Sequence, residues 1–158
     1  MRTIHALFAL AIGLLIPLQA AVNNQLKITL GGSTVLAALI SFACGTLTLA
    51  VVALAWHEKW ADLTQVTQAP WWQLTGGTMG ALFVFGTILL APRLGFTVMI
   101  ALIVGGQTLS SIAFDRVGLL GIPVRELTGP RTIGALLTVL GVLMVNFGDR
   151  WLAFTGRG

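Results

Sequence analysis

Five stretches of this chain, each about as long as a bilayer crossing, carry almost no formal charge, and that constrains the fold more than any motif. About 20 apolar residues span the hydrocarbon core as a helix, so five crossings consume about 100 residues. The chain has only 158, which leaves short connections and no room for a soluble domain. Charged residues make up 9% of the sequence, against about 25% in an ordinary soluble domain. The mean hydropathy of +0.94 agrees. The pattern predicts an all-α integral membrane protein with one membrane domain over residues 1–158.

The spans are expected over residues 4–22, 34–56, 71–91, 95–114 and 132–147. Arg2, Lys27, Lys59, Arg93, Arg116, Arg125, Arg131, Arg150 and Arg157 all fall in or beside the connections, as do the five acidic residues. A charge at mid-bilayer costs about 2.5 to 3.5 kcal/mol on insertion scales, so charge is driven to the seams. Trp56, Trp60, Trp71 and Trp72 gather around the second connection, where amphipathic rings suit the headgroup level. Pro92-Arg93-Leu94 is too short to do more than turn one span into an antiparallel neighbour. Arg2, the apolar run after it and the small residues at Ala20-Ala21 imitate a secretory signal. Pro17 and Gln19 interrupt that run and four spans follow it, so the first span is expected to be retained.

The cations are dispersed singly over the connections instead of forming one stripe, which argues for anchoring to lipid phosphates and against nucleic acid. Cys44 stands alone within a span, so neither a disulfide framework nor a metal cluster is expected, and it reads as a packed small residue. The chain lacks a nucleophile with its base, an HExxH pair, a phosphate-binding glycine loop and a paired-carboxylate site. It therefore reads as non-enzymatic and without a cofactor.

Orientation is nearly balanced. The N-terminus with the second and fourth connections carries Arg2, Lys59, Arg116, Arg125 and Arg131; the opposite side carries Lys27, Arg93, Arg150 and Arg157. Topology follows the side richer in Lys and Arg, and five against four is a weak instruction. Two readings stand: a fixed orientation with the N-terminus inside, or insertion both ways to give an antiparallel homodimer. Five helices are few to enclose a polar pathway, and inverted repeats are a common way to build one.

Small and polar residues inside the spans carry the functional expectations. Lipid supplies no hydrophobic force between helices, so close packing relies on small side chains. Gly76, Gly77 and Gly80 on span three, Gly105 and Gly106 on span four, and Gly134 and Gly141 on span five are candidates for packing seams or hinges. Gln19 and Asn23 lie four apart and share a helix face just after Pro17. Gln107, Ser111 and Asp115 form a second polar stripe. Asn146 lies near the end of span five. Intramembrane amides turn toward the bundle interior or a wet cavity, where they serve either as interhelical glue or as a lining for a solute. The lining reading makes Gln19, Asn23, Gln107 and Ser111 substrate-binding residues for a small neutral or zwitterionic polar solute, with the pocket between spans one and four. Asp115 beside Arg116 reads as an ion-paired surface carboxylate; it and His5 are the two groups on which proton coupling would rest.

Several short stretches in order resemble a known family: Asn23-Asn24-Gln25-Leu26; Ala38 to Phe42 leading to Gly45-Thr46; Pro70-Trp71-Trp72 followed by Gly76-Gly77 and Gly80-Ala81; Ala91 to Gly95; Gly105-Gly106-Gln107; and Asp115 to Gly121. Together they resemble the YdcZ-like family of the drug/metabolite transporter superfamily, in its five-span half-size form. The resemblance implies bacterial inner-membrane exporters related to ten-helix transporters built from two inverted repeats. It also implies that members work as dual-topology homodimers, as pairs with a homologous oppositely oriented chain, or as fused two-repeat proteins. A secondary transporter working by alternating access is the expected function. The competing expectation is a non-transporting membrane subunit that scaffolds a partner chain.

Overall fold

The computed structural model describes residues 2–118, 123–126 and 128–154. Five long helices follow in order: α1 (Arg2–Thr29), α2 (Thr34–Ala55), α3 (Thr75–Leu94), α4 (Phe96–Val117) and α5 (Gly129–Phe154). Two 3₁₀ segments, Trp60–Gln68 and Trp71–Leu74, lie between α2 and α3, and no strand occurs among the described residues. Each of the five helices is long and apolar enough to cross a membrane. The chain forms two compact units, Met1–Arg93 and Leu94–Gly158.

Helix boundaries differ from the hydropathy spans because hydropathy marks the bilayer while local chemistry ends the helix. The apolar run fades at Val22, yet α1 continues through Asn23-Asn24-Gln25 to Thr29. At about 1.5 Å per residue, its 28 residues reach beyond a hydrocarbon core of about 30 Å. Pro17 sits inside this helix without ending it. What ends it is Gly31 at φ 67: the Gly31 N–H donates to the Ile28 carbonyl and the Gly32 N–H to Lys27, satisfying carbonyls left over in the last turn. Ser33 then caps α2 by accepting the Leu36 N–H at 3.2 Å. The far end of α2 uses the same device with a histidine. His57 takes φ 56, its N–H donates to Leu54, and the Glu58 N–H donates to Ala53. The helical backbone of α3 runs on through Pro92 to Leu94, leaving Gly95 at φ 78 as the one residue between α3 and α4. That conformation is closed to most side chains, which explains a glycine there.

In the first unit, α3 presents Val84, Thr87, Ile88 and Ala91, a one-sided row at helical spacing. Val84 and Ile88 form a core with Ala37 and Ala38 of α2, and Leu26, Leu30 and Phe42 pack against it. The small side chains on α2 allow the approach. In the second unit, α4 packs along α5. The outward surfaces are apolar and open: Leu7, Leu14, Leu47 and Leu49 are among many exposed aliphatics, and Cys44, expected to be packed, is exposed with them. Such a surface on water would aggregate, whereas lipid solvates it.

Close approach singles out two of the candidate glycines. A Cβ on Gly80 would stand 3.2 Å from the Phe42 ring, and one on Gly105 would stand 3.1 Å from Val142 Cγ2. Around Gly76, Gly77, Gly106, Gly134 and Gly141 nothing lies within 4 Å of such an atom. On α5 the half-buried positions are Ala135, Thr138, Val139, Val142, Asn146 and Gly148, whereas Gly134 and Gly141 are exposed. Gly105→Leu is expected to push α4 off α5 and cost about 1–3 kcal/mol through overpacking. Thermal melting in detergent checks this, with Val142→Ala in the same chain recovering part of the loss in a double-mutant cycle.

Candidate functional site

Most span hydroxyls in this chain are consumed by their own helix. Thr46 donates to the Phe42 carbonyl at 2.9 Å, Thr48 to Cys44 at 2.9 Å, Thr87 to Val84 at 2.8 Å, and Thr138 to Gly134 at 2.9 Å. Asn24 and Asn146 likewise donate to the carbonyls of Ala20 and Val142. A hydroxyl satisfied this way keeps lone pairs but has no proton to offer elsewhere. The groups that matter for a ligand are those left over.

Two such groups line one hollow of about 350 Å³ in the first unit. Its wall is Gln19 from α1, Ser41, Phe42, Gly45, Thr46 and Leu49 from α2, and Gly77 and Val84 from α3. Neither Gln19 nor Ser41 makes a side-chain hydrogen bond among the described residues, so an amide and a hydroxyl keep their full capacity there. Thr46 adds acceptor lone pairs, and Gly45 and Gly77 leave backbone facing the space. No ionisable side chain lines it. The volume lies within the range of about 300–1,000 Å³ usual for small-molecule sites, which combine apolar walls with a few placed polar groups.

Asn23 sits one turn beyond Gln19 on α1. It is 4% exposed, and its Nδ2 is buried without a hydrogen-bond partner. An unpaired buried donor costs about 1–3 kcal/mol, so a residue of this kind needs a reason.

The other expected site residues fall in the second unit. Gln107 and Ser111 are on α4, both exposed, and the Ser111 hydroxyl donates to the Gln107 carbonyl at 2.7 Å. The Asp115 carboxylate lies 4.0 Å from the Arg131 guanidinium, an ion pair from the end of α4 to the start of α5, whereas the sequence had pointed to neighbouring Arg116. The Arg125 N–H also donates to the Asp115 carbonyl at 2.8 Å. Gly118 at φ 63 caps α4. His5 is exposed near the start of α1. The described residues hold no group of three or more metal-ligating side chains.

Sequence reasoning missed Ser41, Gly45 and Thr46 as lining residues. The signal was present: Ser41 and Gly45 lie four apart on α2, a small and polar pair at the spacing that singled out Gln107 and Ser111 on span four.

No curated protein and no solved structure gives a significant match. A family profile does match, over residues 4–144, and its description is "Putative inner membrane exporter, YdcZ". With five spans and a match covering nearly its full length, this chain belongs to the YdcZ family of multi-pass inner-membrane exporters.

Proposed function

We propose that the chain is one half of a secondary transporter that moves a small polar metabolite or drug by alternating access. The second half is a further copy in the opposite orientation, or a homologous chain so oriented. The observation that carries this reading is the hollow at Gln19 and Ser41, where two side chains without partners sit in helices that cross the membrane. Lipid offers such groups nothing, so they serve a solute or water that enters the protein. An uncharged lining of this kind favours a neutral or zwitterionic solute over a bare cation.

Gln19 and Ser41 bind the solute directly in this reading. Asn23 is the donor held ready on the next turn of α1, and Gln107 with Ser111 form the polar stripe contributed by α4. Gly76, Gly106, Gly134 and Gly141, whose Cβ positions are open, leave room for helices to slide or for another copy to approach. Asp115, held by Arg131, and His5 are the two groups on which proton coupling would rest.

Purified protein in proteoliposomes tests the reading. A panel of neutral, zwitterionic and cationic solutes is first screened for thermal stabilisation in detergent, and the stabilising solute is then assayed for flux. Flux from this chain alone is the result expected of the homodimer, and flux only with an oppositely oriented homologous chain that of the heterodimer; flux from a second chain that is unaffected by blocking Gln19 and Ser41 here would make this chain a supporting subunit. A C-terminal reporter active on one side of the membrane decides the orientation. Signal from both sides is expected of the antiparallel homodimer, and signal from one side alone would replace it by a paired heterodimer.

A further inference from the structure

The connection between α2 and α3 is built as a surface-lying membrane element. Trp60–Gln68 is a 3₁₀ helix of 9 residues, all of them exposed. Runs of 3₁₀ longer than about 4 residues are uncommon, because the hydrogen-bond geometry is poorer than in an α-helix. This one has a sequence that suits the geometry. With three residues per turn, side chains three apart eclipse one another. Trp60, Leu63 and Val66 therefore form one straight ridge, and Asp62, Gln65 and Gln68 form another. An α-helical winding would smear the apolar ridge around the axis. The polar ridge is tied together by Gln65 Nε2 donating to Asp62 Oδ1 at 3.3 Å. The third row turns its hydroxyls inward, Thr64 donating to the Ala61 carbonyl and Thr67 to Thr64.

We propose that this segment lies flat in the membrane interface, with the Trp60–Leu63–Val66 ridge sunk to the boundary between headgroups and acyl chains. Connectivity supplies the occupant. The span before it ends at Ala55 and the next begins at Trp71. Two consecutive spans joined by one connection meet the same face of the bilayer, so both ends of the segment are pinned to that surface. Trp60 and Leu63 lie beside Ala53 near the end of α2, and Val51 and Leu54 of that helix end are exposed as well. Trp56, Trp71 and Trp72 stand exposed at its two ends, the side chains best suited to the headgroup level. The attachment is apolar. Residues 56–70 carry one Lys against one Glu and one Asp, so anionic lipid has no net positive charge to attract.

The test uses the full chain in nanodiscs, where both faces are open to reagents. Cysteines are placed singly at positions 60 to 68 in a Cys44→Ala background and labelled with a water-soluble maleimide. Labelling rates are expected to oscillate with the 3-residue period, with minima at the ridge positions at least about threefold below those at Asp62→Cys, Gln65→Cys and Gln68→Cys. A protein retaining Trp60 with the other tryptophans changed to Phe is then quenched with phospholipids brominated near the carbonyl end of the acyl chains. Strong quenching by these lipids, weak quenching by iodide, and no dependence on salt or anionic-lipid content are expected. Uniform fast labelling would overturn the proposal and leave a solvated loop. Slow labelling without bromolipid quenching would also overturn it, because protein would then cover the ridge. If the single-Trp protein does not fold, spin labels on the same cysteines, read with lipid-soluble oxygen against a water-soluble nickel chelate, give the same distinction.

Discussion

Gly77→Phe is expected to abolish solute flux while leaving the fold intact. A Cβ at Gly77 meets nothing within 4 Å, so a larger side chain can leave the backbone there without an immediate clash. The space it enters is the hollow shared with Gln19 and Ser41. Glycine inside a helix is destabilising by about 0.5–1 kcal/mol relative to alanine, and phenylalanine recovers part of that, so the melting temperature should hold. Flux should fall at least about tenfold, equivalent to about 1.4 kcal/mol. Gly13→Phe is the control: Gly13 is equally open but lies outside the hollow. Proteoliposome flux and detergent melting measured on both variants check the prediction. Full flux from Gly77→Phe would detach the hollow from transport.

Asn23→Val should raise stability and lower activity together. The Asn23 Nδ2 is buried and unpaired, and leaving a donor so costs about 1–3 kcal/mol. Valine is close to asparagine in size and brings no polar group, so about that much should be recovered in a melting experiment. If the amide is kept for a solute, the same change weakens ligand-dependent stabilisation and slows flux. A drop in stability would instead mark the amide as an interhelical tie. The pairing of gain and loss is informative because purely structural residues seldom show it.

The two substitutions probe different links of one argument. Gly77 tests whether the space matters, and Asn23 tests whether the leftover hydrogen-bonding capacity matters. Gly105→Leu belongs to a third category, since Gly105 stands against Val142 where α4 packs on α5 and is not among the residues lining the hollow at Gln19 and Ser41. Loss of function there, if seen, should track loss of stability.

Much of the fold was legible in the sequence. All five spans have charge-free middles with their charged residues at the ends, because a bilayer is a solvent and its exclusion of charge acts residue by residue. Helix ends were less legible. α1 outlasts its apolar run by 7 residues, Val22 to Thr29, because Asn, Gln and Lys interrupt the apolar run without breaking the helix. The segment from Trp60 to Gln68 read only as a tryptophan-rich connection, since a three-residue period is easily overlooked between the familiar periods of helix and strand. The Asp115 partner was read as its neighbour Arg116, when chain folding brought Arg131 from α5 instead.

By itself the sequence determined the class of molecule, the number of crossings and the family, since hydropathy, charge placement and short ordered motifs are properties of residues taken in order. Only the tertiary structure decided which glycines are pressed against a neighbour and which stand open. It also decided that Ser41 and Thr46 join Gln19 around one hollow, and that Asn23 is buried with a donor to spare. The reason is geometric. Every span offers several small and polar residues on its circumference, and which of them meet depends on how neighbouring helices turn their faces, a choice that no single helix encodes.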